Sequence, residues 1–451
     1  MEMTIGAIER YHKDPELNFW NYDQKFKGWA KVEMAIVVAK AELHLIPRTI
    51  NLLQMTASVT DLFSNKKIKR TINRITRRDA KLHHDMKAFT EIVEKALTDI
   101  QASNFHAGVT SYDIEDTWIA WCMKESIPVL LDNLKKLMRI LGKIAKDYRY
   151  QTQMFRTHGV HAEPGTFGLK ILNWYDEAGR QYKRLEELCN EVAIGKISGA
   201  VGTYRGINPE VEKLALSKLG LSPAKTSTQI VSRDIHARYL STLANVASSL
   251  AKYATQIRLL QRTKTLEVEE PFRKKQIGSS TLVHKRNPVR SESVCSLTRI
   301  IKVFSVVAND NQITWDERDI TNSANERFIL AYSTILLNHM IRTFTGVMER
   351  LNIYTDNMTR NLMKTLYLTA SEEVMLALAG KGIPRRKAYI MVQKRAMEAW
   401  EKQKDFRELL LADKKVREFL TEKEIDKALK SEKHLEHIDE IYARFPELDR
   451  L

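Results

Sequence analysis

The run Gly278-Ser279-Ser280-Thr281-Leu282-Val283-His284-Lys285-Arg286-Asn287-Pro288, followed by Arg290, Ser291 and Glu292, is the most chemically suggestive stretch of the chain. A glycine before two small hydroxyl residues makes a turn whose backbone amides can face an anion, while Lys285 and Asn287 add a cation and an amide donor. The same spacing also suits an ordinary surface turn ahead of a helix starting near Pro288. A second run, Arg156-Thr157-His158-Gly159-Val160-His161-Ala162-Glu163-Pro164 and then Thr166-Phe167-Gly168, puts two histidines in a polar turn at a helix start. Imidazole titrates near neutrality and suits a proton donor to a leaving nitrogen, although a lone histidine is more often structural. A third run, His106-Ala107-Gly108-Val109-Thr110-Ser111-Tyr112-Asp113 with Asp116 and Thr117, offers hydroxyls and amides at a helix N-terminus. That is a natural carboxylate site, and equally a simple helix cap.

Helices must position these runs. From Phe26 to Leu45, apolar residues recur at helical spacing (Trp29, Val32, Ala35, Ile36, Ala39) until Pro47 stops the pattern. Similar segments cover Ile114 to Tyr148 and Phe167 to Ala193. The clearest follows Asp234, with Leu243, Val246, Leu250, Tyr253, Ile257 and Leu260 repeating over about seven turns. The polar connections between them are His106 to Asp113, Phe155 to Thr166, Ile197 to Pro209 and Arg273 to Asn287. Strand-like alternation is nearly absent and no internal repeat is visible. The expectation is an all-α fold: a long central helical bundle over 106–355, flanked by helical domains at 1–105 and 356–451.

A chain of 451 residues exceeds what one hydrophobic core normally serves, so two or three structural units are expected. No stretch reaches the roughly 18 apolar residues of a membrane span, and Met1 to Arg10 lacks a signal-peptide design, so the expected location is cytoplasmic. Three scattered cysteines, Cys122, Cys189 and Cys295, fit neither a disulfide framework nor a paired zinc site and read as small apolar residues in helices. The net charge of +16 suits nucleic acid, a membrane surface or a small anionic substrate. Its densest basic run, Lys66 to Arg78, lacks the interleaved aromatics that stacking on bases would use and reads as a solvated helix face.

The three polar runs resemble a known family. Gly278, Ser279, Ser280, Lys285, Asn287 and Pro288 match the signature loop G-S-S-x-M-P-x-K-x-N-P of the fumarase and aspartase superfamily, with Leu282 and Val283 standing where Met-Pro is usual. Arg156 to Gly168 is similar to the pattern R-T-H-G-x-H-A-E-P-x-T-F-G of its adenylosuccinate lyase family, and His106 to Thr117 to H-x-G-x-T-S-S-D-x-x-D-T, with Tyr112 in place of a serine. Further similar pieces are Ile8-Glu9-Arg10-Tyr11, His83-His84-Asp85 (His83 for the usual arginine), Thr226 to Gln229 before Arg233-Asp234, Trp315 to Asp319, and Asn322-Ser323-Ala324-Asn325-Glu326-Arg327. Argininosuccinate lyase would share the signature loop but lack these purine-type pieces. A non-catalytic helical protein binding nucleotide or nucleic acid is the reading from a different class.

The resemblance implies elimination of fumarate from a succinylated purine nucleotide, with no metal or organic cofactor and no nucleic-acid partner. It makes Ser279 the general base, His158 the acid that protonates the leaving nitrogen, Glu292 the partner that orients His158, and His84 a supporting contact. Substrate binding falls by the same resemblance to Arg10, Tyr11, His83, Asp85, His106, Thr110, Ser111, Gln229, Ser280, Lys285, Arg286, Asn287, Arg318, Ser323 and Arg327. Thr110 and Ser111 are assigned to a carboxylate, and Ser323 and Arg327 to the phosphate side. It also implies a homotetramer in which each active site collects segments from three subunits.

Overall fold

The computed structural model describes residues 6–272, 281–430 and 435–450; Ser279 and Ser280 lie outside that range. Helix accounts for 67% of the structure against 5% strand, so the fold is all-α, a helical bundle. In chain order the elements that matter are α1 (Tyr22–Glu42), α2 (Leu52–Leu62), α3 (Ile68–Leu82), α4 (Asp85–Glu94), the single turn α5 (Asp99–Ala102) and α6 (Ser111–Asp147). They are followed by strands β1 (Thr152–Thr157) and β2 (Val160–Thr166), then α7 (Phe167–Val192), α8 (Pro209–Lys218), α9 (Asp234–Leu260), α10 (Val289–Asp310) and α11 (Ser323–Met348).

The chain divides into two compact units. The first holds residues 1–135, 180–251 and 294–343, the second 136–179, 252–293 and 344–451, so α6, α7, α9, α10 and α11 supply residues to both. In the first unit, α1 buries Phe26, Trp29, Val32 and Ile36, whose spacing marks one helix face. Phe26 and Phe89 pack on Trp29 with ring centroids 5.3 and 5.6 Å away. Gly28 is required there: a Cβ would sit 2.2 Å from the Trp118 ring, which stacks on Trp121 at 4.7 Å. The basic run lies on α3, which buries Ile68, Thr71, Ile72 and Ile75 on one side and leaves Lys69, Arg70, Arg74 and Arg77 in solvent.

In the second unit, Trp174 stacks on Tyr253 at 5.2 Å, Tyr253 meets Phe344 at 6.1 Å, and the Tyr442 hydroxyl donates to the Ala145 carbonyl at 2.7 Å. A separate apolar cluster of Val374, Leu378, Val392, Phe406, Leu410, Val416, Leu420 and Ile425 joins the helices after residue 370.

The segment Phe155 to Thr166 departs from the sequence expectation. It is not a bare polar connection but an antiparallel hairpin in which Thr152 faces Thr166 and Thr157 faces Val160. Its two-residue turn is His158-Gly159, with φ of 54° and 82°. Both values are left-handed, as the turn whose twist matches a hairpin requires. The register slips between Met154 and Arg156, leaving Phe155 as the irregular residue.

Candidate active site

In the first unit, buried ion pairs fix the start of α6. Asp113 is fully buried and pairs with the equally buried Lys196 Nζ at 2.5 Å. It also accepts from the backbone N–H of Thr110 at 2.8 Å and of Ser198 at 3.1 Å. The backbone at the Thr110-Ser111 step that sequence assigns to a carboxylate is thereby pinned. One turn on, Asp116 takes the Arg233 guanidinium in a two-point contact at 2.7 and 2.8 Å and the Val231 N–H at 2.8 Å. Arg233 reaches onward to Glu326 at 3.0 Å, which also holds His236 at 3.2 Å and the Asn322 amide at 2.9 Å. Burial would raise the Glu326 carboxyl, but the neighbouring His236 and Arg233 outweigh it and hold it at about 2.

This network ties the beginning of α6 to the beginning of α11, which carries Ser323 and Arg327. Tyr112 adds a direct link: its hydroxyl donates to Ser323 Oγ at 2.8 Å, and the Arg318 guanidinium lies over its ring at 3.7 Å. Burial, aided by the Glu115 charge, pushes the Tyr112 phenol up to about 12, so it stays a hydrogen-bond donor at any working pH. Arg318 Nη1 donates to Asn322 Oδ1 at 3.3 Å, while its Nε and Nη2 are buried without a hydrogen-bond partner among the described residues.

Asp85 opens α4 and pairs with Lys25 at 2.8 Å and with Arg327 at 3.5 Å. Those cations overcome the effect of its burial and lower its pKa. Beside it, His83 closes α3 at φ 48°, and His84 caps α4 by accepting the Lys87 N–H on Nδ1 at 3.2 Å. Both rings are exposed. His106 contacts the fully buried Glu33 carboxylate at 2.5 Å. Although burial opposes the imidazolium, the Glu33 hydrogen bond and charge prevail and raise its pKa. Gln229 donates to the Ala200 carbonyl at 3.1 Å, Tyr11 meets the His339 ring at 5.2 Å, and Arg10 is exposed.

The first unit therefore brings Thr110, Ser111, Arg318 and Ser323 into one connected framework, and Asp85 with Arg327 into an ion-pair cluster. Sequence reasoning missed Lys25, Tyr112 and Glu115 as parts of these clusters. Glu115 lies near Lys25, Asp85, Arg327 and Asp116, and its pKa is raised chiefly by burial. It stands four residues after Ser111, on the same helix face, a spacing that could have flagged it.

In the second unit, His158 sits exposed at the tip of the hairpin. The hairpin is anchored by Glu267, whose fully buried carboxylate accepts from Arg156 at 2.6 Å, Gln153 at 2.7 Å and Asn361 at 2.7 Å. His161 has a buried Nδ1 without a hydrogen-bond partner among the described residues, and burial together with Arg156 lowers its pKa. Glu292 is exposed in the first turn of α10, and no hydrogen bond or ion pair joins it to His158 among the described residues. Helix α10 is capped by Glu270, which accepts from the Arg290 and Ser291 N–H groups at 3.2 and 2.7 Å. Lys285 is exposed, and Asn287 is half-buried ahead of α10. Arg286 pairs with Glu269 at 3.0 Å and lies over the Phe272 ring at 5.2 Å. Among the described residues, no three His, Cys, Asp or Glu side chains are grouped so as to hold a metal ion.

Solved structures share this fold. Fumarate lyase from Mesorhizobium sp. BNC1 superposes with a TM-score of 0.87 at 22% identity, covering 96% of this chain and 97% of that one. The 3-carboxy-cis,cis-muconate lactonizing enzyme from Pseudomonas putida gives 0.87 at 22% identity over 98% and 99%. Residues 9–302 match the Lyase family, which sets the class: a helical lyase. Residues 368–445 match the adenylosuccinate lyase C-terminus family. Curated adenylosuccinate lyases from Aquifex aeolicus and Bacillus subtilis are 43% and 41% identical over 97% of this chain, covering 98% and 99% of their own lengths. The chain belongs to the adenylosuccinate lyase family.

Proposed function

We propose that this enzyme eliminates fumarate from adenylosuccinate to give AMP, and from the succinylated imidazole-carboxamide ribotide (SAICAR) to give AICAR, within purine nucleotide biosynthesis. The near full-length identity to curated adenylosuccinate lyases carries this reading. The preserved Arg156 to Gly168 and His106 to Thr117 runs agree with it.

The reaction has two difficulties, a weakly acidic proton beside a carboxylate and a poor amine leaving group. Ser279 is the base in this proposal. Its hydroxyl is a very weak acid in water, so it needs amides, positive charge and exclusion of solvent to act as an alkoxide. Lys285 and Asn287 hold the substrate carboxylate as its negative charge spreads, which favours the transition state over the ground state. Thr110 and Ser111 take the other carboxylate. Their backbone, pinned by buried Asp113, costs little reorganisation when charge develops. His158, at the tip of a hairpin held by Glu267, donates the proton to nitrogen, and Glu292 orients it in the assembled site. Asp85, Arg327, Ser323, Arg318, His84, Gln229, Arg10 and Tyr11 grip the nucleotide.

A homotetramer with sites shared among three subunits fits the exposed apolar residues of α10, Ile300, Val303 and Val306, which lie at three-residue spacing. None of the described helices is long and apolar enough to cross a membrane, and we place the enzyme in the cytoplasm.

The test is the ultraviolet change on mixing purified protein with adenylosuccinate, against argininosuccinate and against Ser279→Ala. Turnover of adenylosuccinate alone, abolished in the variant, is the expected result. An inert tetrameric parent would overturn the proposal.

A further inference from the structure

Arg318 is held in an unusual way. Its guanidinium face rests on the Tyr112 ring at 3.7 Å, and one edge is used by Asn322 through Nη1 at 3.3 Å. Stacking occupies the π face of a guanidinium and none of its N–H groups, which all lie in the plane. The two donors left over, Nε and Nη2, are adjacent on the opposite edge, and both are buried without a hydrogen-bond partner among the described residues. That edge is a fork with the geometry of two oxygens on one phosphorus or carbon. The Tyr112 hydroxyl meanwhile donates to Ser323 Oγ at 2.8 Å, so the serine spends a lone pair on tyrosine and keeps its own proton for another acceptor.

We propose that Tyr112 is a positioning residue that presents the Arg318 fork and the Ser323 hydroxyl together to one oxyanion of the substrate, a phosphate ester or a carboxylate. Tyr112 stands where the related pattern has a small serine, so this chain assigns to an aromatic ring the task of orienting the arginine. The identity of the substrate rests on the elimination reading above; the oxyanion grip does not. Two unpaired buried donors on a cation are costly to keep, and an oxyanion on the fork satisfies both at once.

Inorganic phosphate and succinate probe the two oxyanion chemistries by titration calorimetry on the full-length protein, without turnover. Tyr112→Phe keeps the ring and releases only Ser323, and should weaken the preferred probe by no more than about threefold. Tyr112→Leu removes the π face and should weaken that probe about tenfold. The probe that weakens identifies the oxyanion. KM for adenylosuccinate should rise by the same factor in Tyr112→Leu, while kcat changes less than about threefold, a split that general unfolding would not produce. Arg318→Lys keeps the charge but loses the fork, and adding Tyr112→Leu to it should cost no more than the small loss seen in Tyr112→Phe. Undiminished binding of both probes by Tyr112→Leu, equal loss in Phe and Leu, or additive losses in the double variant would each overturn the proposal. Absence of turnover with intact probe binding would instead refute only the elimination reading.

Discussion

Glu326→Gln isolates the electrostatic worth of the buried network at the head of α11. The Glu326 side chain is 4% exposed and flanked by Arg233 at 3.0 Å and His236 at 3.2 Å, so solvent screening removes little of the interaction. Burial alone would push the carboxyl above its ordinary 4.5, yet the neighbouring His236 and Arg233 outweigh it and hold it at about 2. At ~1.4 kcal/mol per pH unit, that drop is worth about 3 kcal/mol of stability at neutral pH. The sign follows from proton counting. Between pH 4.5 and about 2 the unfolded chain binds a proton on this residue that the folded chain does not, so the stabilisation is complete above 4.5 and drains away on acidification. Glutamine keeps the shape and loses the charge. Urea unfolding at fixed protein concentration should show a gap of about 3 kcal/mol between parent and variant at pH 7, narrowing by ~1.4 kcal/mol per pH unit below 4.5. A gap that is absent at pH 7, or that keeps its size down to pH 3, would refute the assignment of the low pKa to Arg233 and His236.

Other perturbations follow from the same geometry. Gly28→Ala forces a methyl into the Trp118 ring, 2.2 Å from the ideal Cβ, and should destabilise the fold by ~1–3 kcal/mol, seen as a lower melting temperature. Lys196→Met strips the paired ammonium from buried Asp113 and should cost ~3–5 kcal/mol in denaturant unfolding, with kcat/KM falling as the Thr110-Ser111 backbone loosens. Glu33→Gln should lower the His106 pKa, because burial is then opposed chiefly by the Asp113 charge; NMR titration reads this directly. The same contact makes the parent lose stability as pH rises through the elevated His106 pKa, and the variant should lack that loss.

The long helices were legible because burial on one face repeats every three to four residues, as the Leu243 to Leu260 series does in α9. The hairpin at 152–166 was not. Its strands are short and mixed, and its only strong signal is a His-Gly pair, a less common filler of that turn than Asn-Gly. The polar run around Thr110 and Ser111 was legible because a helix N-terminus can be read locally, whereas Asp85 and Ser323 stood out only through the family resemblance. The Tyr112 link to Ser323 spans 211 residues of chain, and the Lys25 to Asp85 pair spans 60. Neither distance leaves a trace in local spacing. Ser279 and Ser280, the most informative hydroxyls in the sequence, lie outside the described residues.

The left-handed backbone at His158, φ 54°, affects how any replacement there must be interpreted. Alanine or glutamine at that position removes the imidazole and also charges the turn a conformational penalty, so lost activity would mix missing chemistry with a misplaced loop. Asparagine tolerates the same backbone geometry while offering no transferable proton, which makes His158→Asn the substitution that separates the two contributions.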